Sequence, residues 1–266
     1  MFQHVKSKFA APLLLAAFTL LASGCASPPP GADADEIADF HQINDPLEPT
    51  NRVIFSVNES VDSYLMRPAA QGYRAVLPQF GRDRVNDFLD NLKGPLYFAN
   101  DLAQGNLGQA WTSLCRLIFN TTFGVAGVMD VAAPMGFPGH QADFGQTLGV
   151  WGIGEGPYLV LPLFGPSNPR DALGLAAESL ANGPDSYLQS NHMHWLAWVH
   201  TGLSGLALRE SYLDSLDDVK RTSLDYYSAM RSLYRQRRES QIDQARTPQP
   251  RQTKGDKPGL DRAKPE

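Results

Sequence analysis

The sequence predicts a mainly α-helical single domain arranged around a Gly/Pro-rich irregular segment at its centre. Two observations carry that prediction. Apolar side chains recur at helical spacing through most of residues 51–238, most clearly in Leu107, Ala110, Trp111, Leu114, Cys115, Ile118, Phe119 and Thr122. Residues 144–166 break that pattern, with five glycines between 145 and 156 and three prolines between 157 and 166. Glycine admits positive φ and close backbone approach, and proline fixes φ and removes a donor, so neither a long helix nor a central strand fits there. Yet Trp151, Tyr158, Phe164 and the run Leu159–Leu163 are too apolar for a solvated linker. The segment must be enclosed by other elements, or line a cavity, for its backbone polar groups to be satisfied.

The chain opens with Lys6 and Lys8 ahead of an apolar stretch from Phe9 to Ala22, broken by Pro12 and Thr19. That is the pattern of a signal peptide over residues 1–24, too short to serve as a comfortable membrane span. It ends Leu21-Ala22-Ser23-Gly24-Cys25, small residues before a cysteine that resemble the bacterial lipobox. The resemblance implies cleavage before Cys25 and acylation of its thiol and new amino group. Each buried methylene adds about 0.8 kcal/mol of membrane affinity, so a multiply acylated Cys25 is a stable anchor. Ala26-Ser27 follow, with no aspartate after the cysteine, which under the enterobacterial sorting rule favours the outer membrane. Residues 25–44, with Pro28-Pro29-Pro30, read as the acylated cysteine and a flexible tether.

The folded part is expected over 45–238. A first helix is read from Asn51 to Met66, with Val53, Ile54, Val57, Val61, Tyr64 and Leu65 on one stripe, ended by Arg67-Pro68. A short piece runs from Pro68 to Leu77. Helices follow over about Gly81–Leu92 and Leu96–Gln104, separated by Gly94-Pro95, and then the strong stripe from Leu107. Asn168-Pro169 reads as a cap with proline at the first helical position, and Leu173, Ala176, Ala177 and Leu180 give that helix its apolar side. After the turn Asn182-Gly183-Pro184 an apolar helix spans about 193–209. A long polar helix is then read from about Ser211 to Arg238, partly burying Leu213, Leu216, Leu224, Tyr227, Met230 and Tyr234. Residues 239–266 read as a polar tail, of disordered composition from Thr247 on.

Charge narrows the function classes. Residues 26–219 hold 9 basic and 22 acidic side chains, and residues 220–266 hold 12 basic and 6 acidic. An acidic body is a poor surface for nucleic acid, and none is expected as a partner. Of the two cysteines, Cys115 is left without an intramolecular partner if Cys25 is acylated, and reads as a small core residue. No metal or cofactor is expected: His192, His194 and His200 do not share a helical face, and no paired carboxylate is close in sequence. Gly152, Gly154 and Gly156 lead into Pro157 and an apolar run rather than a helix, against a nucleotide-binding turn. Around Ser204 the glycine that a nucleophile elbow needs is replaced by Leu206, so no enzyme activity is expected.

From about Asp45 to Arg238 the chain resembles the MlaA (VacJ) family of outer-membrane lipoproteins. The residues that carry the resemblance are Asp45-Pro46-Leu47-Glu48 with Asn51-Arg52, Arg67-Pro68, Phe119-Asn120-Thr121 and Asp130-Val131-Ala132. To these are added Phe144-Gly145, Thr147-Leu148-Gly149, Gly152, Gly154, Gly156-Pro157-Tyr158, Leu161-Pro162, Gly165-Pro166 and Arg170-Asp171. Thr50 stands where many members carry an aromatic residue. The resemblance implies a ring-like helical domain in the inner leaflet of the outer membrane, with a central amphipathic channel, beside trimeric porins. It implies extraction of phospholipids mislocalised to the outer leaflet and their delivery to a soluble periplasmic carrier (MlaC-like), preserving lipid asymmetry. On this reading Gly145, Gly149, Gly152, Gly154, Gly156, Tyr158 and Gly165 border the channel. Asp45, Pro46, Asn51, Arg52, Asn120, Asp130, Arg170 and Asp171 are then structural residues of the family motifs, with Asp130 and the Arg170-Asp171 pair read as caps and ion pairs that hold loops. The alternative from another class is a non-transporting envelope scaffold, which needs neither a broad apolar belt nor a through-hole.

Overall fold

The structure, a computed structural model, describes residues 43–180 and 194–247. The signal peptide, Cys25, the tether up to residue 42, the turn at 182–184, His192 and the residues after 247 lie outside the described residues.

Helix α1 (Glu48–Val61) does not stop at Arg67-Pro68 as expected. A π-helical turn, Asp62–Met66, leads directly into α2 (Arg67–Val76). Proline removes one i→i−4 bond, and a π turn, with its longer i→i+5 bonds, takes that loss without ending the helix. Pro78 is the N-cap of α3, which runs unbroken from Gln79 to Ala103 with Pro95 inside it. Two helices were expected here. Packing on α4 (Leu107–Thr122) holds the single one together: Gly94 is buried, and a Cβ on it would lie 3.1 Å from Leu117 Cδ1. Asn106 caps α4 by accepting from the Gln109 N–H at 3.1 Å.

The central Gly/Pro segment is more regular than predicted. Asp143 caps a short helix α5 (Phe144–Val150), and after a glycine-rich stretch the chain forms a hairpin of β1 (Leu159–Leu161) and β2 (Gly165–Ser167). The strands are antiparallel, with Leu159 opposite Ser167 and Leu161 opposite Gly165. Asn168 caps α6 (Pro169–Leu180) as read, its Oδ1 accepting from the Asp171 N–H at 2.8 Å. Helix α7 (His194–Ser211) follows. The expected helix 211–238 is two helices, α8 (Leu213–Thr222) and α9 (Tyr226–Arg246). The break falls at Ser223-Leu224-Asp225, where Asp225 caps α9 and Leu224, read as partly buried, is fully exposed. Residues 239–246, assigned to the tail, continue α9. Ile242 is buried there, close to Gly149, and Arg246 donates to the Gly149 carbonyl at 2.6 Å.

The packing closes on itself. Among the described elements α1 touches β1, β2 touches α9, α9 touches α5, α5 touches α3, α3 touches α7, and α7 touches α2, which returns to α1 through the π turn. That circuit, mostly helical with one small hairpin, is a ring of contacts rather than a stack of layers. Its apolar core is small: Tyr158, Val160 and Tyr227, with Ile54, Phe55 and Tyr234 packed against them. The largest fully buried side chains are instead polar, namely Gln146, Asn51, Asn168, Thr147 and Asp101.

Candidate functional site

Three polar clamps set the geometry of the ring. In the first, Asn51 Nδ2 donates to Asp45 Oδ1 at 2.8 Å and to the Tyr158 carbonyl at 3.0 Å, while Oδ1 accepts from the Val160 N–H at 3.0 Å. Asp45 also accepts from Tyr227 Oη and from Arg231 Nη1 at 2.7 Å. Pro46 lies in the turn that joins Asp45 to α1. Arg52 lies over the Tyr227 ring and grips Asp225 through both terminal nitrogens. Those bonds hold the Asp225 carboxyl far below the usual carboxylate range.

In the second clamp, Asn120 Oδ1 accepts from the N–H groups of Val131 and Ala132 at 3.0 and 2.9 Å, and its Nδ2 donates to Asp130 Oδ1. Burial alone acts to raise the Asp130 carboxyl, but bonds from Arg116, the Ala133 N–H and Asn120 bring it below its ordinary value. The third clamp joins α5, α6 and α9. Arg238 bridges Asp143 and Asp171, Arg170 Nε meets Asp171 Oδ1 at 3.0 Å, and Tyr234 Oη donates to Asp171 Oδ2 at 2.5 Å. Asp171 is likewise pushed up by burial and brought lower overall by Arg238, Tyr234 and Arg170. The family-motif residues Asp45, Asn51, Arg52, Asn120, Asp130, Arg170 and Asp171 thus lie in these clamps, with Pro46 in the turn beside the first.

The seven residues expected to border a channel divide. Gly145 is packed solid: a Cβ there would sit 2.5 Å from Arg238 Nη2 and 2.8 Å from Asp171 Oδ1. Tyr158 is buried in the apolar core, and Gly156, at φ +72°, backs onto Pro169. Gly149, Gly152 and Gly154 line an open cleft of about 860 Å³ together with Arg170, Arg231, Arg235, Arg238 and Arg246. Gly165 lines a second cleft of about 1070 Å³, with Phe55, Leu65, Met66, Leu216, Tyr226 and Met230. Opposite faces of α9 contribute to the two clefts, Arg231 and Arg235 to the first and Met230 to the second.

Sequence reasoning missed a buried cluster on the α3–α4 hairpin. Ser113 Oγ donates to Asp101 Oδ2 at 2.6 Å, and His140 Nε2 lies 2.9 Å from the same carboxylate and 3.3 Å from Ser113 Oγ. Serine and carboxylate meet the same imidazole nitrogen, so the histidine cannot pass a proton from one to the other as in a nucleophilic triad. The cluster pins the loop before α5 to the hairpin. No group of three metal-ligating side chains occurs among the described residues.

The outer surface is apolar to an unusual degree. Trp195 and Trp198 on α7 are 66% and 77% exposed, and Tyr64, Val76, Phe80, Leu107 and Phe123 are more exposed still or nearly so. No described helix is long and apolar enough to cross a membrane. Indole and phenol rings on the outside and carboxamides in the core invert the order of a water-soluble domain.

The family described as MlaA lipoprotein matches residues 43–241. The chain belongs to the MlaA lipoprotein family. A relative in Escherichia coli (strain K12), the intermembrane phospholipid transport system lipoprotein MlaA, is 36% identical over 232 residues, 84% of this chain and 85% of that one. An uncharacterized protein of Rickettsia bellii (strain RML369-C) is also 36% identical, over 201 residues, 76% of this chain and 78% of its own. A solved structure reported as the structural basis for maintenance of bacterial outer membrane lipid asymmetry aligns with TM-score 0.65 and 33% identity. It covers 74% of this chain and 98% of that one. The MlaA fold is thus the mainly α architecture that the sequence predicted, and the relatives that carry a functional name are lipoproteins of an intermembrane phospholipid transport system.

Proposed function

We propose that this chain, anchored by an acylated Cys25 in the periplasmic leaflet of the outer membrane, removes phospholipids mislocalised to the outer leaflet. They pass through an amphipathic channel to a soluble periplasmic carrier, beside a trimeric porin, and no bond is broken. The observation that supports this most is the inverted polarity: exposed Trp195, Trp198, Tyr64 and Phe123 around a ring whose largest buried side chains are polar. Lifting a diacyl lipid with roughly thirty methylenes into water costs on the order of 20 kcal/mol. Drawing a bare headgroup through hydrocarbon is also costly. A ring that offers the head a polar path while the tails stay on apolar wall lowers both costs. Gly149, Gly152 and Gly154, beside the arginine-lined cleft, and Gly165, beside the apolar one, are the channel-bordering glycines of this reading. Gly145, Gly156 and Tyr158 stand one layer back as its frame.

The test is the phospholipid content of the outer leaflet in cells lacking this protein. A rise, reversed by the wild-type chain and not by one with Cys25→Ala, is the expected result. Unchanged surface phospholipid would leave a passive scaffold as the better account.

A further inference from the structure

We infer that the apolar cleft between α1 and α8 is an acyl-chain site spanned by a seam of three ion pairs. The inference rests on the lipid-handling reading and says which part of the ring holds the tails.

Phe55 and Tyr226 form one wall of the cleft, their rings edge to face at 5.3 Å. Leu65, Met66, Leu216 and Met230 supply the rest of its grease. At one end stands the hairpin tip, with Leu163 and Phe164 about three-quarters exposed and Leu163 held at φ 67°, a region that leucine avoids. Asn58 imposes that strain, donating to the Leu161 carbonyl and accepting from the Leu163 N–H. Two large apolar side chains thus stand at the entrance to a cleft of about 1070 Å³. Clefts that enclose drug-sized ligands run roughly 300–1,000 Å³, so a long, thin, flexible apolar ligand fits this one. The relatives' phospholipid cargo supplies such a ligand in its acyl chains.

The seam is charged, with both signs on each side. Glu59 of α1 meets Lys220 of α8 at 2.7 Å, Asp62 of the π turn meets Arg209 of α7 at 2.6 Å, and Arg67 of α2 meets Asp217 of α8 at 2.8 Å. All six side chains line the cleft, and each pair joins the α1–α2 side to the α7–α8 side. A π turn holds an extra residue, which rotates the downstream part of the helix by about 100°. Glu59, Asp62, Leu65 and Met66 thereby all face the cleft. The Glu59–Lys220 and Arg67–Asp217 pairs are partly solvated, while Arg209 in the third pair is mostly buried. Partly solvated pairs are individually weak and screened by salt, which suits a seam that must open.

The test uses the full acylated chain in vesicles of phosphatidylethanolamine and phosphatidylglycerol with a trace of phospholipid bearing a mid-chain diazirine. After photolysis, mass spectrometry locates the cross-links. The expected result is labelled peptides containing Leu65-Met66, Leu216 and Met230. Glu59→Lys, which sets like charges together, raises their yield roughly two- to fivefold, the factor that a surface pair of ordinary strength represents. The swap Glu59→Lys with Lys220→Glu returns it to the wild-type value. Arg67→Asp with and without Asp217→Arg repeats the comparison at another pair, so a misfolded variant at one does not decide the matter. Cross-links confined to the outward face around Trp195 and Trp198, or a yield indifferent to both reversals, overturn the inference. Wild-type surface lipid in cells lacking the chain, together with labelled cleft peptides in vesicles, would remove the transport reading and leave the acyl-chain site.

Discussion

Replacing Asn51 by leucine should cost this protein a large share of its stability, because the side chain is 2% exposed and has no water to substitute for it. The change deletes three hydrogen bonds. It leaves the Val160 N–H and the Tyr158 carbonyl without their Asn51 partner in the core, and strips a donor from Asp45. A buried bond contributes about 1 kcal/mol net, and each orphaned group costs roughly 1–3 kcal/mol, so the sum is about 3–6 kcal/mol. Against a total of roughly 5–15 kcal/mol for a natural domain, that is close to unfolding. Thermal melting of the detergent-solubilised chain, followed by circular dichroism, should fall by about 10 °C or more. Asn51→Asp is the sharper control: one oxygen still accepts from Val160, but both donated bonds vanish and a second carboxylate stands beside Asp45. It should be at least as damaging as leucine. A shift of only one or two degrees in both variants would mean that the β1–α1 contact is held by the apolar core alone, and the polar-clamp argument would fail.

Other expectations rest on the same contacts. Gly145→Ala should destabilise by about 1–3 kcal/mol in the same melt, since its methyl group meets Arg238 Nη2 at 2.5 Å and the Asp171 Cα at 3.0 Å, where no side chain can yield freely. Glu178 accepts from the Phe144 N–H, and burial pushes its carboxyl above the ordinary value. A raised carboxyl contributes stability below the unfolded pKa and loses it as pH rises through the folded value. Glu178→Gln should therefore match wild type near pH 4 and become relatively more stable as pH climbs to 7, as read by urea unfolding. Ending the chain at Arg238 removes Ile242 and Arg246 from Gly149, and should speed proteolysis at 145–155 more than elsewhere. Tryptophan fluorescence from Trp195 and Trp198 should be quenched by brominated lipid in vesicles, and iodide in the water should compete poorly.

What the sequence disclosed was whatever local chemistry decides. The stripe from Leu107 to Thr122 became α4 unaltered, and Asn168-Pro169 capped α6, because both signals act within one turn. The misreadings came from contacts far along the chain. Pro95 marks a helix boundary by every local rule, but α4 packs across it and Gly94 lets Leu117 approach closely. Leu224 sits on the helical stripe, yet Asp225 is taken by Arg52, 173 positions earlier, and the helix breaks there. Ile242 has the sequence surroundings of a polar tail, since the glycine that makes room for it lies at 149. The site behaved likewise. Motif residues Asp45, Asn51, Asp130 and Asp171 were identifiable. Which of the central glycines face open space and which face side chains depends on α9, and α9 runs past the end that its sequence predicts.

The inverted surface explains why the clamps are polar. In a water-soluble domain, burying apolar area supplies most of the drive to fold and fixes which faces meet. Here Trp195, Trp198, Phe80 and Phe123 stay outside, and among the described residues six of the fifteen buried apolar side chains are alanine, so that drive is reduced. Specificity has to come from groups that are costly to leave unpaired, which is what Asn51, Asn120 and Asp171 are. Asn51 and Asp171 join segments distant in sequence, Asn120 closes the turn from α4 to residues 130–132, and each loses several partners together if its segment shifts by one residue. A ring held at a few such points, with clefts between them, keeps its frame while the seams between α1 and α8 remain free to part.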